Sequence, residues 1–257
     1  MPKFHDLSEY AAAIGPVIAA VHVNVHASAR KEAAGLLPGF VTDLRFTLPL
    51  RPLTRRSLAT IYRYGDAAEL DAEIRDQLDQ GTLEEDGDGA LRPTAKALAF
   101  IDGLYAVHAA TTERIWAGRD LQTLADLAGR VVDAAGGVFG AGFGGEPGRE
   151  SGGDHGGDPS VEAGGAFAAM APPYEPVGTP AGVLLFNRLA ALRYHRADAH
   201  AAAWRAAGLT AGEIVVLGPG PLRDRIERET NRRAAEPYGA ITEEERALFH
   251  DGLLALV

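Results

Sequence analysis

The chain contains no cysteine among its 257 residues, which excludes disulfide bonds and zinc sites built on thiolates. Positive charge is also scarce: 25 lysines and arginines stand against 35 aspartates and glutamates, which gives a net charge of −10. Such a surface repels phosphate, so binding to nucleic acid would require a local basic patch.

Long apolar runs are missing as well. No stretch reaches the roughly 18 apolar residues that a membrane span needs. The first residues, MPKFHDLSEY, lack the basic start and apolar run of a signal peptide. The sequence therefore predicts a cytoplasmic protein that does not bind a membrane. Its hydrophobic share of 46% suffices for the core of one large or two small domains.

Glycine is abundant, and it is concentrated in one place. Residues 133–165 are dominated by glycine and show no helical periodicity, which is typical of a flexible linker. The prolines of APPYEPVGTP stiffen its end. We therefore predict a first domain over residues 1–132, a Gly/Pro-rich linker over 133–180, and a C-terminal helical domain over 181–257.

The clearest architectural pattern lies between residues 53 and 117. LTRRSLATIYRYG predicts a short helix, DAAELDAEIRDQLDQG a second helix, and TLEEDGDGALRPT a hairpin around Asp-Gly. A long helix follows in AKALAFIDGLYAVHAATTERIWAG. This order resembles MarR-like winged-helix proteins, in which the second helix enters the DNA major groove. The expected fold is mainly α, with a winged-helix-like segment, a small β-hairpin wing, and helical N- and C-terminal regions.

The charge of the second helix argues against that role. Residues 66–80 hold six carboxylates and one arginine, so DNA would repel this helix. A basic run beside it keeps a DNA-binding alternative open, because Arg55, Arg56 and Arg63 could contact phosphates. The opposing interpretation is that these arginines pair with the neighbouring acidic helix.

Two histidines near the N-terminus, His22 and His26, share one face of a predicted helical region at i and i+4. This region is expected to break at Gly15-Pro16. The spacing lets two imidazoles reach one metal ion if a third ligand arrives from elsewhere. The alternative is that both histidines pack beside a neighbouring helix or face water.

The stretch RYHRADAHAAAW places His195, Asp198 and His200 within six positions. On one continuous helix these side chains would point in different directions and could not share an ion. Chelation by all three would therefore require a break in the helix. Asp198 is a good N-cap for a helix that begins at Ala199, which predicts a corner between two helices.

Three stretches, VHVNVHASARKEAAGL, LRYHRADAHAAAWRAAGLTAGEIVVL and LRDRIERETNRRAAEPYGAI, together resemble a SalK-like bacterial helix-turn-helix family whose chemistry is unassigned. His22 falls on its N-terminal histidine. The middle motif falls on His195, Asp198 and His200. The resemblance implies that these residues converge. Zn²⁺ or Fe²⁺ would suit a site made by His22, His195 and His200, and a metal-free site would use His200 as general base, oriented by Asp198.

Three classes of function follow. The first, which we favour, is a small-molecule-binding protein or an enzyme that uses the His/Asp cluster between its two halves. The second is a ligand-responsive MarR-like transcriptional regulator that binds DNA, and the third is an acidic protein-interaction module. The amphipathic C-terminal segment LRDRIERETNRRAAEPYGAITEEERALFHDGLLALV is compatible with a homodimer.

Overall fold

The structure is a computed structural model, and it describes residues 3–33, 41–141 and 165–257. Most of the glycine-rich segment that we predict to be a linker, at residues 142–164, lies outside the described residues. The described part of the chain is mainly helical and contains one small three-stranded antiparallel sheet.

The helices are long around the core and shorter near the sheet. The described residues form α1 (Leu7–Ala33), α2 (Val41–Leu44), α3 (Arg55–Ile61), α4 (Ala67–Asp79), α5 (Ala95–Ile115), α6 (Leu121–Ala141), α7 (Ala166–Met170), α8 (Ala181–Ala206), α9 (Ala211–Val216), α10 (Pro221–Ala234) and α11 (Glu243–Leu254), with a 3-10 helix at Glu236–Ala240. The strands are β1 (Leu53–Thr54), β2 (Leu83–Glu85) and β3 (Ala90–Pro93).

The small sheet has the strand order β1-β3-β2. The hairpin predicted around Asp-Gly is confirmed, with Glu85 of β2 opposite Leu91 of β3. Gly89 closes the turn at φ +77°, a left-handed conformation that glycine adopts without strain. Helix α4 begins after Asp66, whose carboxylate accepts hydrogen bonds from the first free backbone N–H groups of the helix.

Helix α1 continues through Gly15 and Pro16, so the predicted break at this point is wrong. Pro16 has no N–H to donate to the carbonyl group one turn earlier, but packing holds the helix, because Ile14 and Ile18 are both buried. Gly15 leaves room for the Arg196 side chain of α8, whose Nε lies 3.0 Å from the place that a Cβ atom would take. Tertiary contacts thus preserve a helix that the local sequence would interrupt.

Helix α1 also corrects the expectation that no stretch is long and apolar enough to cross a membrane. By length and composition alone, Leu7–Lys31 meets that criterion, and no other helix of the described residues does. Its apolar side lies in the core, where Val21 and Val25 are fully buried. Since α1 packs against α5, α8, α10 and α11, it has the contacts of a central helix in a globular fold.

Helix α8 is continuous from Ala181 to Ala206, so the predicted corner at Asp198 is wrong. No glycine or proline lies between Val183 and Ala207, and one aspartate inside a helix costs less than about 1 kcal/mol. Gly208 then follows the end of the helix at φ +79°, a conformation that favours glycine.

Two hydrophobic clusters meet at α7 and α8. The first lies among α1, α6 and α8 and includes Phe167. The second surrounds the sheet and α5 and includes Ala166 and Met170, while Tyr194 packs against both. Two parts of the range predicted as linker are helical. Residues 133–141 extend α6, and α7 belongs to the packed core, because Ala166, Phe167 and Met170 are buried.

Candidate functional site

His195 lies on α8 and is only 6% exposed. Its ring meets that of Phe167 edge to face, with 5.5 Å between the centroids. Burial lowers the pKa of His195 to about 4, and the Asp198 carboxylate opposes this shift to a smaller extent. At neutral pH the side chain is therefore an uncharged part of the core, and it does not line either of the two cavities described below.

Asp198 joins three separate parts of the chain. Its two carboxylate oxygens accept hydrogen bonds from the backbone N–H groups of Ala166, at 2.9 Å, and Phe167, at 2.8 Å. The same carboxylate forms an ion pair with Arg63, and the two side chains are only 9% and 8% exposed. A Cβ atom at Gly165 would collide with this carboxylate. Asp198 thus caps α7 and not, as we predict from the sequence, a helix of its own.

The three arginines considered as phosphate ligands have three different environments. Arg63 is buried in the ion pair just described. Arg55 Nη2 lies 3.2 Å from Glu85 Oε2, and Arg55 Nη1 lies 3.9 Å from Asp71 Oδ1. Arg55 is therefore already paired with acidic neighbours. Arg56 is exposed. The described residues therefore do not present these arginines as one continuous basic surface.

His200 faces a different neighbourhood from Asp198. Its Nδ1 lies 3.0 Å from Tyr64 Oη, and its Nε2 lies 3.8 Å from Glu227 Oε1. Asp198 and His200 are two positions apart on a continuous helix, which points their side chains to different sides. Glu227, and not Asp198, is the carboxylate beside His200.

The expected convergence of His22, His195 and His200 is not seen. His22 lines the larger cavity described next, His200 lines a smaller groove, and His195 lies against Phe167. Across residues 3–33, 41–141 and 165–257, no group of three or more His, Cys, Asp or Glu side chains is placed to hold a metal ion.

One cavity formed by the described residues has a volume of about 690 Å³. Helix α1 contributes His22, His26 and Arg30, and α8 contributes Arg193 and Tyr194. Helix α5, together with α2 and the residues that follow it, supplies the opposite side, with His108, Thr42, Asp43, Arg45 and Phe46. We call this space the His–Arg cavity.

Arg45 is the most buried charged side chain of the cavity, at 1% exposed. Its Nη1 donates to the Thr42 carbonyl and its Nη2 to Asn187 Oδ1, both at 3.0 Å. Its Nε is buried and has no hydrogen-bond partner among the described residues. The guanidinium lies over the Phe186 ring, 4.5 Å from the centroid. Burial lowers the pKa of Arg45 to about 10, so the group stays positively charged at neutral pH.

Three imidazoles surround Phe186 at centroid distances of 4.9 Å for His22, 5.1 Å for His26 and 4.8 Å for His108. Burial lowers the pKa of all three, and nearby arginines lower it further, to about 4 for His26 and about 2 for His108. They are therefore neutral at neutral pH. His108 Nδ1 is buried without a hydrogen-bond partner among the described residues.

Arg193 donates from Nη1 to His22 Nδ1 at 2.7 Å. Because arginine only donates, Nδ1 of His22 accepts, and the imidazole proton is on Nε2. In the described part of the chain neither Arg45 nor Arg193 has a carboxylate within ion-pair distance. Asp43 lines the same cavity, and its surface is partly open to solvent. The protein atoms around its carboxyl group displace water and raise its pKa, while the positive charges of Arg45 and Arg193 lower that pKa to a smaller extent. Positive charge exceeds negative charge in the cavity.

One feature of the sequence does point to this site, namely the position of Arg45. Arg45 stands in VTDLRFTLPL, between two large apolar residues in a segment that is otherwise almost uncharged. An arginine in such a segment is either paired in the core or held for a ligand. The sequence does pair His26 with His22, but only the packing of α1 against α5 brings His108 to His26, with 5.8 Å between the ring centroids.

Comparisons of this chain with protein-family models, with curated proteins and with solved structures each returned no match. The functional argument therefore rests on the geometry of the chain itself.

Proposed function

We propose that this protein binds a small anionic molecule in the His–Arg cavity. The observation that carries the proposal is Arg45, a buried cation with a free Nε–H donor and no carboxylate partner among the described residues. A buried charge without a counter-charge is costly. A carboxylate or phosphate bound in the cavity would supply the missing negative charge.

The charge of the cavity favours an anion over a metal cation. His22 and His26 lie on adjacent turns with their rings 4.6 Å apart, a spacing that would otherwise suit two metal ligands. However, Arg193 occupies Nδ1 of His22, and Arg45 adds a second positive charge nearby. A divalent cation would be repelled by both guanidinium groups, whereas an anion is attracted.

The size and walls of the cavity suit an organic acid. Its volume of about 690 Å³ lies in the range of roughly 300–1,000 Å³ that is typical of small-molecule sites. Phe46 and Leu104 provide apolar surface, and three neutral imidazoles provide hydrogen-bonding groups. This combination supports the small-molecule-binding class predicted from the sequence, with arginines as the charged groups of the site in place of the predicted His/Asp cluster.

Isothermal titration calorimetry with benzoate, benzamide and inorganic phosphate tests the proposal. We expect benzoate or phosphate to bind and the neutral benzamide not to bind. Arg45→Met should weaken anion binding by at least about 10-fold, because the positive charge that attracts the anion is lost. Arg56→Met, which changes an exposed arginine outside the cavity, is the matched control and should bind as the wild type does.

Three results would refute the proposal. One is that neither anion binds at millimolar concentration. Another is that benzamide binds as tightly as benzoate, and the third is that Arg45→Met binds the anion unchanged. Circular dichroism of each variant distinguishes lost binding from lost folding.

We also propose that residues 53–117 form a winged-helix-like segment of the MarR-like kind, in which α5 supports the cavity and α4 does not enter DNA. The acidic side chains of α4 favour this, because five of the six carboxylates of residues 66–80 are exposed. Such a face suits a basic protein partner and repels DNA. An electrophoretic mobility shift at low salt tests the regulator alternative, and a shift that is lost in Arg56→Met would support DNA binding instead.

A further inference from the structure

A second group of polar side chains lies outside the His–Arg cavity. Tyr64 follows α3, His200 is on α8, and Glu227 is on α10. Together with Arg193 and Arg196 they line a groove of about 340 Å³. Tyr64 is 40% exposed, so its hydroxyl group can meet a molecule from solvent.

The hydrogen bonds of Tyr64 define the direction of proton transfer. Trp204 Nε1–H donates to Tyr64 Oη at 3.2 Å. His200 Nδ1 lies 3.0 Å from the same oxygen, and it accepts the phenol proton when the imidazole proton is on Nε2. An Nδ1 that accepts places the imidazole proton on Nε2, which faces Glu227 Oε1 at 3.8 Å. Nε2 has no hydrogen-bond partner among the described residues, so Glu227 acts on the ring through its charge. The order hydroxyl, imidazole, carboxylate resembles that of an activated nucleophile.

We propose that Tyr64 is a nucleophile for acyl transfer, with His200 as its general base and Glu227 as a positioning residue. Its substrates are activated esters whose acyl group carries a negative charge, because Arg193 and Arg196 line the same groove. Tyr64 Oη forms a bond to the carbonyl carbon while its proton moves to His200 Nδ1. The ester C–O bond then breaks, and the leaving oxygen receives that proton. Attack by water on the tyrosyl ester restores the phenol and releases the acid.

The charges around His200 are consistent with a base at neutral pH. Burial lowers the pKa of His200, Glu227 raises it, and Arg196, Arg223 and Arg63 lower it. The imidazole is therefore neutral and can accept a proton. Arg196 Nη2 lies 3.6 Å from Glu227 Oε2, which holds the carboxylate beside the ring.

Two para-nitrophenyl esters test this inference independently of ligand binding in the His–Arg cavity. One is the neutral acetate and the other is the monoanionic succinate half ester. Nitrophenolate release gives the rate, and peptide mass spectrometry locates the acyl group. We expect acylation of Tyr64, faster with the succinate ester. Tyr64→Phe should abolish the adduct, and His200→Gln should slow its formation by about 100-fold or more, the contribution of a general base.

Two further variants separate mechanism from structure. Glu227→Gln should move the acidic limb of the pH–rate profile to lower pH, because Glu227 raises the pKa of His200. A merely structural role would not move that limb. His250→Gln, which changes a histidine on α11 away from the groove, should react as the wild type does. Acylation of Tyr64 no faster than that of Tyr174, or an unchanged rate in His200→Gln, would overturn the proposal.

Discussion

Arg63 and Arg45 both have buried side chains, but among the described residues only Arg63 is paired with a carboxylate. Arg63 lies against the Asp198 carboxylate, which also accepts two backbone N–H groups at the start of α7. Arg45 is more deeply buried, yet it contacts a carbonyl oxygen, an amide oxygen and an aromatic ring, with no carboxylate among the described residues. The comparison indicates that Arg63 stabilises the fold, whereas Arg45 is held for a negative charge from outside the chain.

The largest expected effect tests the paired arginine. Asp198→Asn should lower the free energy of unfolding by about 3–5 kcal/mol, because it leaves Arg63 buried without a counter-charge. Urea denaturation measures this loss. The double variant with Arg63→Met should recover much of the stability, since it removes the unpaired charge as well. A loss below about 1 kcal/mol in Asp198→Asn would contradict the structural role.

The pH dependence of stability tests two of the buried histidines. The pKa of His195 and of His26 is about 4 in the folded chain, below the ordinary value of 6.5. The unfolded chain therefore binds more protons between these values, and stability falls as the pH decreases from about 6.5 to 4. The slope is about 1.4 kcal/mol per pH unit for each such histidine. Urea titrations at several pH values should show this decline, and His195→Phe should reduce its slope.

Replacing the unpaired arginine should change stability far less. We expect Arg45→Met to unfold within about 1 kcal/mol of the wild type, because the lost contacts are offset by removal of a buried cation. Anion binding should be lost in the same variant. A destabilisation of about 3 kcal/mol or more would show that Arg45 is structural and would remove the contrast with Arg63.

The smallest effect concerns an arginine at the surface. Arg55 lies near Glu85 and Asp71, and its side chain is 42% exposed. Arg55→Gln should change the free energy of unfolding by less than about 0.5 kcal/mol, because exposed ion pairs contribute little. Thermal denaturation of the variant and the wild type in parallel provides the measurement. A larger loss would indicate that this pair, like the pair of Arg63, is part of the core.

Local patterns predict those elements whose signals lie within a few residues. The hairpin around Asp-Gly and the short and longer helices before it follow from such signals. The resemblance to the SalK-like family stays a prediction. Prediction fails where distant packing overrides local preference, as at Pro16 inside α1 and at Asp198 inside α8.

The candidate site shows the same limit. The sequence draws attention to His22 and to His200, and both do line cavities, but with partners that spacing does not reveal. Arg45 bonds to Asn187, 142 positions away, and His200 bonds to Tyr64, 136 positions away. Neither pair follows from any motif, because contacts over such distances depend on how the helices pack.

By itself, the sequence determined a mainly helical chain without thiol chemistry, an acidic second helix and a small hairpin, because composition, charge and short-range periodicity fix these properties. Only the tertiary structure decided which buried arginine has a carboxylate and which does not. A carboxylate neutralises a charge only when it lies within a few ångströms, and in this chain the packing of α7 against both α3 and α8 brings Asp198 to Arg63.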